Sequence, residues 1–186
     1  MNDEAAITLR AVARASDVQA LRTLDASHLA RSVIEVEASE SGFVLREVAC
    51  GLPFTKTYDA DGIARDFEHA DLRCIAEDAS GRMLGVAIAC RESWNRSVLV
   101  TGLFVVSTHR GLGLGRRLLT DLERQADAGD ARCLLVETQN TNVAAVRFYR
   151  ALGFALCGVN VALYDPATVR AGECALYFMR PLPSRA

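Results

Sequence analysis

Apolar and polar positions first suggest short strands. Ile7 to Val12 reads as a strand and Ser16 to Leu24 as a helix, with Ser16 or Asp17 at its cap. Val33 to Ala38 and Phe43 to Val48 alternate apolar and polar around Ser39-Glu40-Ser41-Gly42, which predicts a hairpin. Pro53 to Asp66 shows no such period and reads as irregular, with room for one helical turn. Leu72 to Glu77 and Met83 to Cys90 form a second hairpin, joined by Asp78-Ala79-Ser80-Gly81-Arg82, residue types that tolerate a tight turn.

The pattern then changes. Val98 to Val106 is continuously apolar, as in a strand buried on both faces. Gly111 to Ala128 carries Leu114, Leu118, Leu119 and Leu122 at helical spacing, with Gly129 as its stop. Arg132 to Glu137 is another buried strand, and Asn142 to Leu152 a short helix ended by Gly153. Phe154 to Tyr164 and Cys174 to Met179 close the chain as strands, separated by a loop with Asp165-Pro166. Meandering strands followed by a strand–helix–strand–helix–strand unit make an α+β fold with a mixed sheet.

Composition narrows the function classes. With 186 residues the chain is expected to form one domain over residues 1–186. Lys plus Arg is 21 and Asp plus Glu 23, so no basic excess points to nucleic acid. Lys56 is the only lysine. Cys50, Cys74, Cys90, Cys133, Cys157 and Cys174 lie scattered with no Cys-x-x-Cys pair. They read as reduced, buried small hydrophobes of a cytoplasmic protein, with no metal site. The acidic start Met1-Asn2-Asp3-Glu4 is unlike a signal peptide, and no apolar run approaches the roughly 20 residues of a membrane span.

The sharpest local feature is Arg110-Gly111-Leu112-Gly113-Leu114-Gly115-Arg116-Arg117, between a buried strand and an amphipathic helix. A helix start leaves about four N–H groups without partners, at the positive end of the dipole. Glycines let an anion approach that backbone, and Arg110 and Arg116 add charge. The run therefore reads as a diphosphate cradle. A Walker loop would need Gly-Lys-Ser/Thr, but Arg116 follows Gly115. A dinucleotide loop finds Gly111-x-Gly113 but meets Arg116 in place of its third glycine, with Glu137 as its ribose acid. A plain glycine-rich turn and a coenzyme A site complete the alternatives.

Arg110-x-x-Gly113-x-Gly115 resembles the acetyl-CoA signature of the GNAT N-acetyltransferase superfamily. Leu103-Phe104-Val105-Val106-Ser107 resembles that family's central strand, and Asn142-x-x-Ala145-x-x-Phe148-Tyr149-x-x-x-Gly153-Phe154 its second motif. The cofactor-binding core would be about residues 98–155. Ser93-Trp94-Asn95, Thr108-His109-Arg110-Gly111, Glu137-Thr138-Gln139-Asn140-Thr141-Asn142-Val143, Cys157-Gly158-Val159-Asn160 with Tyr164, and Glu173-x-Ala175-x-Tyr177 resemble streptothricin acetyltransferases. Leu112 stands where the loop commonly carries lysine.

The resemblance implies a twisted mixed sheet of about seven strands, flanked by helices, whose splayed parallel strands admit pantetheine. It implies acetyl-CoA as co-substrate, no metal, a small-molecule amine acceptor, and compatibility with a homodimer. The backbone from Gly111 to Arg116 would hold the pyrophosphate; Phe104, Val105 and Val106 would also bind the cofactor, and a backbone N–H near Val105 would polarise the thioester carbonyl. Tyr149 would protonate the departing thiolate, with a core tyrosine against Phe154 as the alternative. Asn142 would bond pantetheine or cap its helix. An alkylamine of pKa about 10.4 costs about 4.6 kcal/mol to deprotonate at pH 7, so the site needs a base or desolvation. Glu137 is the expected base. Glu92 and Glu173 would attract a cationic acceptor, and Trp94 and Tyr164 would line its cleft, Trp94 serving equally well in a core. A protein acceptor such as a ribosomal-protein N-terminus, a non-catalytic acyl-CoA sensor and, more distantly, a nicotinamide-binding protein are the alternatives.

Overall fold

The computed structural model describes residues 7–128 and 130–183; the acidic start and Gly129 lie outside them. In chain order the elements are β1 (Thr8–Arg10), α1 (Asp17–Arg22), β2 (His28–Ser39), β3 (Gly42–Lys56), α2 (Ala60–His69), β4 (Leu72–Glu77), β5 (Met83–Glu92) and β6 (Ser97–Val105). There follow α3 (Leu114–Ala128), β7 (Cys133–Gln139), α4 (Val143–Ala151), β8 (Ala155–Asn160) and β9 (Ala175–Pro181). Seven strands are ordered β1-β4-β5-β6-β7-β9-β8, and β2 and β3 form a separate ribbon. The expected mixed α+β architecture is observed. The chain divides into two compact units: residues up to Ala26 with Tyr58–Leu134 and Pro181 onward, and Ser27–Thr57 with Leu135–Arg180.

In the first unit, β1, β4, β5 and β6 meander antiparallel. Leu114, Leu118, Leu119, Leu122 and Ala126 form the buried stripe of α3, the one the leucine spacing predicts. Full burial stabilises by about 1.5–3 kcal/mol for each of the three leucines hidden completely. Leu21, Ile63, Phe67, Ile75, Val86 and Ile88 build the core, with Phe104 and Tyr58 packed against it. Their two rings meet edge-on at 5.8 Å. Ser16 stands at the start of α1 but makes no side-chain cap. Asp17 instead receives Arg10 at 2.6 Å, while Arg10 Nε also reaches Glu77 at 2.8 Å.

The segment expected to be irregular is ordered. β3 runs through Pro53 to Lys56. Ser32 faces Ala49 and Ala30 faces Phe54, so the chain from Cys50 to Pro53 bulges opposite Arg31. A proline has no N–H to give a ladder, and a bulge asks for none. α2 follows, capped by the Asp59 side chain, and buries Ile63, Ala64 and Phe67. In the second unit β8 ends at Asn160, short of the expected Tyr164, and pairs antiparallel with β9. α4 buries Val143, Val146 and Tyr149.

Candidate active site

In the first unit the glycine run is a turn feeding α3. Gly111 has φ 76° and Gly113 φ 83°, backbone that favours glycine. A Cβ at either position would meet nothing within 4 Å, so this stretch is open to a ligand. The Arg117 N–H bonds the Gly113 carbonyl at 3.1 Å. The N–H groups of Leu114, Gly115 and Arg116 precede that bond and have no helical acceptor. Arg116 is exposed beside them, and Leu112 is 74% exposed at the tip. Arg110 Nε donates to the Val105 carbonyl at 2.8 Å and a terminal nitrogen to the Asp25 carbonyl at 3.3 Å. It braces the loop against the end of β6.

That end of β6 has a defined polarity. The Val106 N–H donates to Leu84 at 2.9 Å, toward β5. Gly85 faces Val105 in register, so the Val105 N–H and carbonyl point away from β5. Gly85 is required there, because a Cβ would meet the Phe104 carbonyl oxygen at 2.8 Å. Glu92 and Trp94 lie at the other end of the nine-residue β6, roughly 26 Å away along the strand. Trp94 is 82% exposed on the β5–β6 turn, which excludes the core role. The Asn95 side chain beside it accepts from the Ser97 N–H at 3.0 Å, so this motif builds a turn.

In the second unit the predicted acidic and phenolic groups converge. The Tyr164 hydroxyl donates to Glu137 on β7. Burial pushes the Glu137 carboxyl up, the Tyr164 bond works against that, and the charge of Glu173 pushes it further up. Burial and the Glu137 carboxylate likewise raise the Tyr164 phenol. Glu173, with its side chain only 1% exposed, pairs with Lys56 through Oε1. Its Oε2 is buried without a partner. Tyr164 and Glu173 line a cleft of about 430 Å³ with apolar walls that include Val36, Val161 and Val169. A second cleft of about 510 Å³ adjoins it across Arg170, Ala171 and Gly172.

Two residues that sequence reasoning missed hold this cluster. Lys56 entered only as the chain's one lysine, yet it is the counter-ion of Glu173. Asn140 ties three segments: Nδ2 donates to Ile34 at 2.8 Å and Gly172 at 3.0 Å, and Oδ1 accepts from the Cys174 N–H at 2.9 Å. Such long-range bonds leave no periodic signature. On α4, Asn142 Oδ1 caps the helix by accepting from the Ala145 N–H at 3.1 Å. Tyr149 is buried against Phe154 at 5.7 Å and Phe178 at 6.4 Å, the packing of the core alternative. Cys133 is buried, Cys157 exposed, and the described cysteines are all free.

The first unit thus carries an anion-ready helix start, and the second carries buried Glu173 and half-buried Glu137, the latter with a raised pKa. Known proteins resemble the chain in sequence and fold. The model of the acetyltransferase (GNAT) family matches residues 44–154. The streptothricin acetyltransferase of Streptomyces lavendulae is 37% identical over 180 residues, covering 92% of this chain and 93% of that protein. The crystal structure of a nourseothricin acetyltransferase superposes with a TM-score of 0.86 at 34% identity, over 96% of this chain and 99% of that one. A Bacillus anthracis protein assigned as a streptothricin acetyltransferase and solved with acetyl coenzyme A gives 0.79 at 21% identity, which shows the fold alone, over 96% and 99% of the two chains. A match across more than half of the chain and a relative this similar over nearly its whole length agree with the glycine turn found between β6 and α3, and the chain belongs to the GNAT acetyltransferase family.

Proposed function

We propose that this protein transfers an acetyl group from acetyl-CoA to a primary amine of streptothricin, in the cytoplasm. The observation that carries the reading is the cleft lined by Tyr164 and Glu173, where Glu173 Oε2 is buried without a partner and Tyr164 bonds Glu137, whose pKa is raised. The similarity to the Streptomyces lavendulae enzyme supports the choice of acceptor. Acetyl-CoA would supply the acetyl thioester. The open backbone of Gly111 and Gly113, the N–H groups of residues 114–116 and the exposed Arg116 suit its diphosphate. The Val105 N–H, turned away from β5, suits the carbonyl oxygen on which negative charge grows.

The remaining steps belong to side chains. Glu173 binds the acceptor ammonium through Oε2. Glu137 takes the proton that leaves the amine nitrogen, and its raised pKa brings it nearer the working pH of a general base. Tyr149 donates a proton to the departing sulfur, a task suited to a phenol. Tyr164 orients the Glu137 carboxyl. Mixing enzyme, acetyl-CoA and streptothricin should release free thiol and yield a drug heavier by one acetyl group. Thiol release with a ribosomal-protein peptide but none with the drug would overturn the choice of acceptor, and tight CoA binding with no turnover on any amine would overturn the catalytic reading.

A further inference from the structure

Among 21 cationic residues Lys56 is the only lysine, and it is the one facing Glu173. A buried carboxylate needs a counter-charge to remain ionised. Arginine would supply one, as it does elsewhere in the chain: Arg10 grips Asp17 through two nitrogens, at 2.9 and 2.6 Å, and Arg14 grips both oxygens of Glu77, at 2.8 and 3.0 Å. That fork occupies both oxygens of a carboxylate. An ammonium is a compact point charge, and Lys56 engages Oε1 of Glu173 while Oε2 stays buried and unpartnered.

We propose that Lys56 is a specificity-determining positioning residue: its single-point contact gives Glu173 a counter-charge while leaving the buried Oε2 unpartnered for the ammonium of the acceptor. This rests on the reading above that the acceptor binds at Glu173. Lysine at position 56 is then a requirement of binding rather than of folding. A purely structural ion pair would be served as well by arginine, whose longer stem and extra donors strengthen such pairs.

The test is Lys56→Arg, assayed by thiol release at varied streptothricin and at varied acetyl-CoA. The melting temperature is expected to match the wild type within about 3 °C. KM for streptothricin should rise at least tenfold, with kcat within threefold and KM for acetyl-CoA unchanged. A wild-type KM for streptothricin in Lys56→Arg overturns the proposal. Glu173→Gln separates it from the reading on which it rests: if that variant keeps a wild-type KM for streptothricin, the acceptor does not bind there and the underlying reading fails first. The double variant Lys56→Arg/Glu173→Gln covers the case in which Lys56→Arg folds poorly. With no carboxylate to fork, its KM should equal that of Glu173→Gln within threefold, and a further tenfold rise would show Lys56 acting independently of Glu173 and overturn the proposal.

Discussion

Gly85→Ala tests how closely the end of β6 must be held. Gly85 lies in β5 opposite Val105, and a Cβ there would stand 2.8 Å from the Phe104 carbonyl oxygen, 3.1 Å from Leu118 Cδ1 and 3.3 Å from Val105 Cγ2. The first obstacle is backbone and cannot rotate away. Ordinary contact begins at 3.4 Å, so 3.4 − 2.8 requires β6 to yield by about 0.6 Å. Overpacking of this kind costs about 1–3 kcal/mol. At about 2–4 °C per kcal/mol for a chain of this size, the melting temperature should fall by about 2–12 °C. The same displacement moves the Val105 N–H. A misplacement of about 1 Å costs about 100-fold in rate, so kcat should fall on the order of tenfold. Thermal melts and thiol release measure both effects. Gly51→Ala is the control, since a Cβ there meets nothing within 4 Å. A Gly85→Ala variant that melts and turns over like Gly51→Ala would refute the reasoning.

Three further outcomes are expected. Tyr149→Phe should lower kcat about 100-fold or more while leaving CoA affinity unchanged by calorimetry, and equal losses in both would return Tyr149 to a packing role. The acidic limb of kcat/KM should lie above the ordinary glutamate value of 4.5, because Glu137 must be ionised to accept a proton and its pKa is raised; Tyr164→Phe removes a bond that lowers it and should move the limb higher still. A limb below 4.5 would remove Glu137 as base. Arg10→Met leaves Asp17 and Glu77 short of a partner and should cost about 3–5 kcal/mol at neutral pH, read as a lower melting temperature. Burial works to raise the Asp17 pKa, but the bonds from Arg10 and the Arg14 N–H outweigh it, and Arg10 with Arg14 lowers that of Glu77. Lowered carboxylate values give stability that is present above their unfolded pKa and lost as pH falls, so the gap between Arg10→Met and wild type should close in acid; a constant gap would contradict the linkage.

What could be read from the chain was local. The leucines of α3 recur every turn because one face must be buried, and Asn142 caps α4 because its side chain can reach an orphan N–H. Gly111 and Gly113 adopt positive φ, as the cradle reading requires. Errors arose where a residue's local meaning was overridden. Pro53 looked like the end of order, but a bulge absorbs it within β3. α2 was hidden because only Ile63, Ala64 and Phe67 face the core; the structure shows Asp59 as its cap. Of the two places expected for Trp94, its exposure on the β5–β6 turn removes the core. Glu173 finds Lys56 117 residues away and Asn140 finds Ile34 106 residues away, beyond any short-range pattern.

The ion pair of Lys56 with Glu173 also bears on self-modification. An enzyme that places acetyl groups on amines, and holds a reactive thioester while doing so, is surrounded by its own side chains. This chain offers one side-chain amine, and that one is held against a buried carboxylate. Guanidinium groups, which carry nearly all of the remaining positive charge, are poor nucleophiles at any physiological pH. A composition built on arginine thus leaves the catalyst almost inert toward the chemistry it performs.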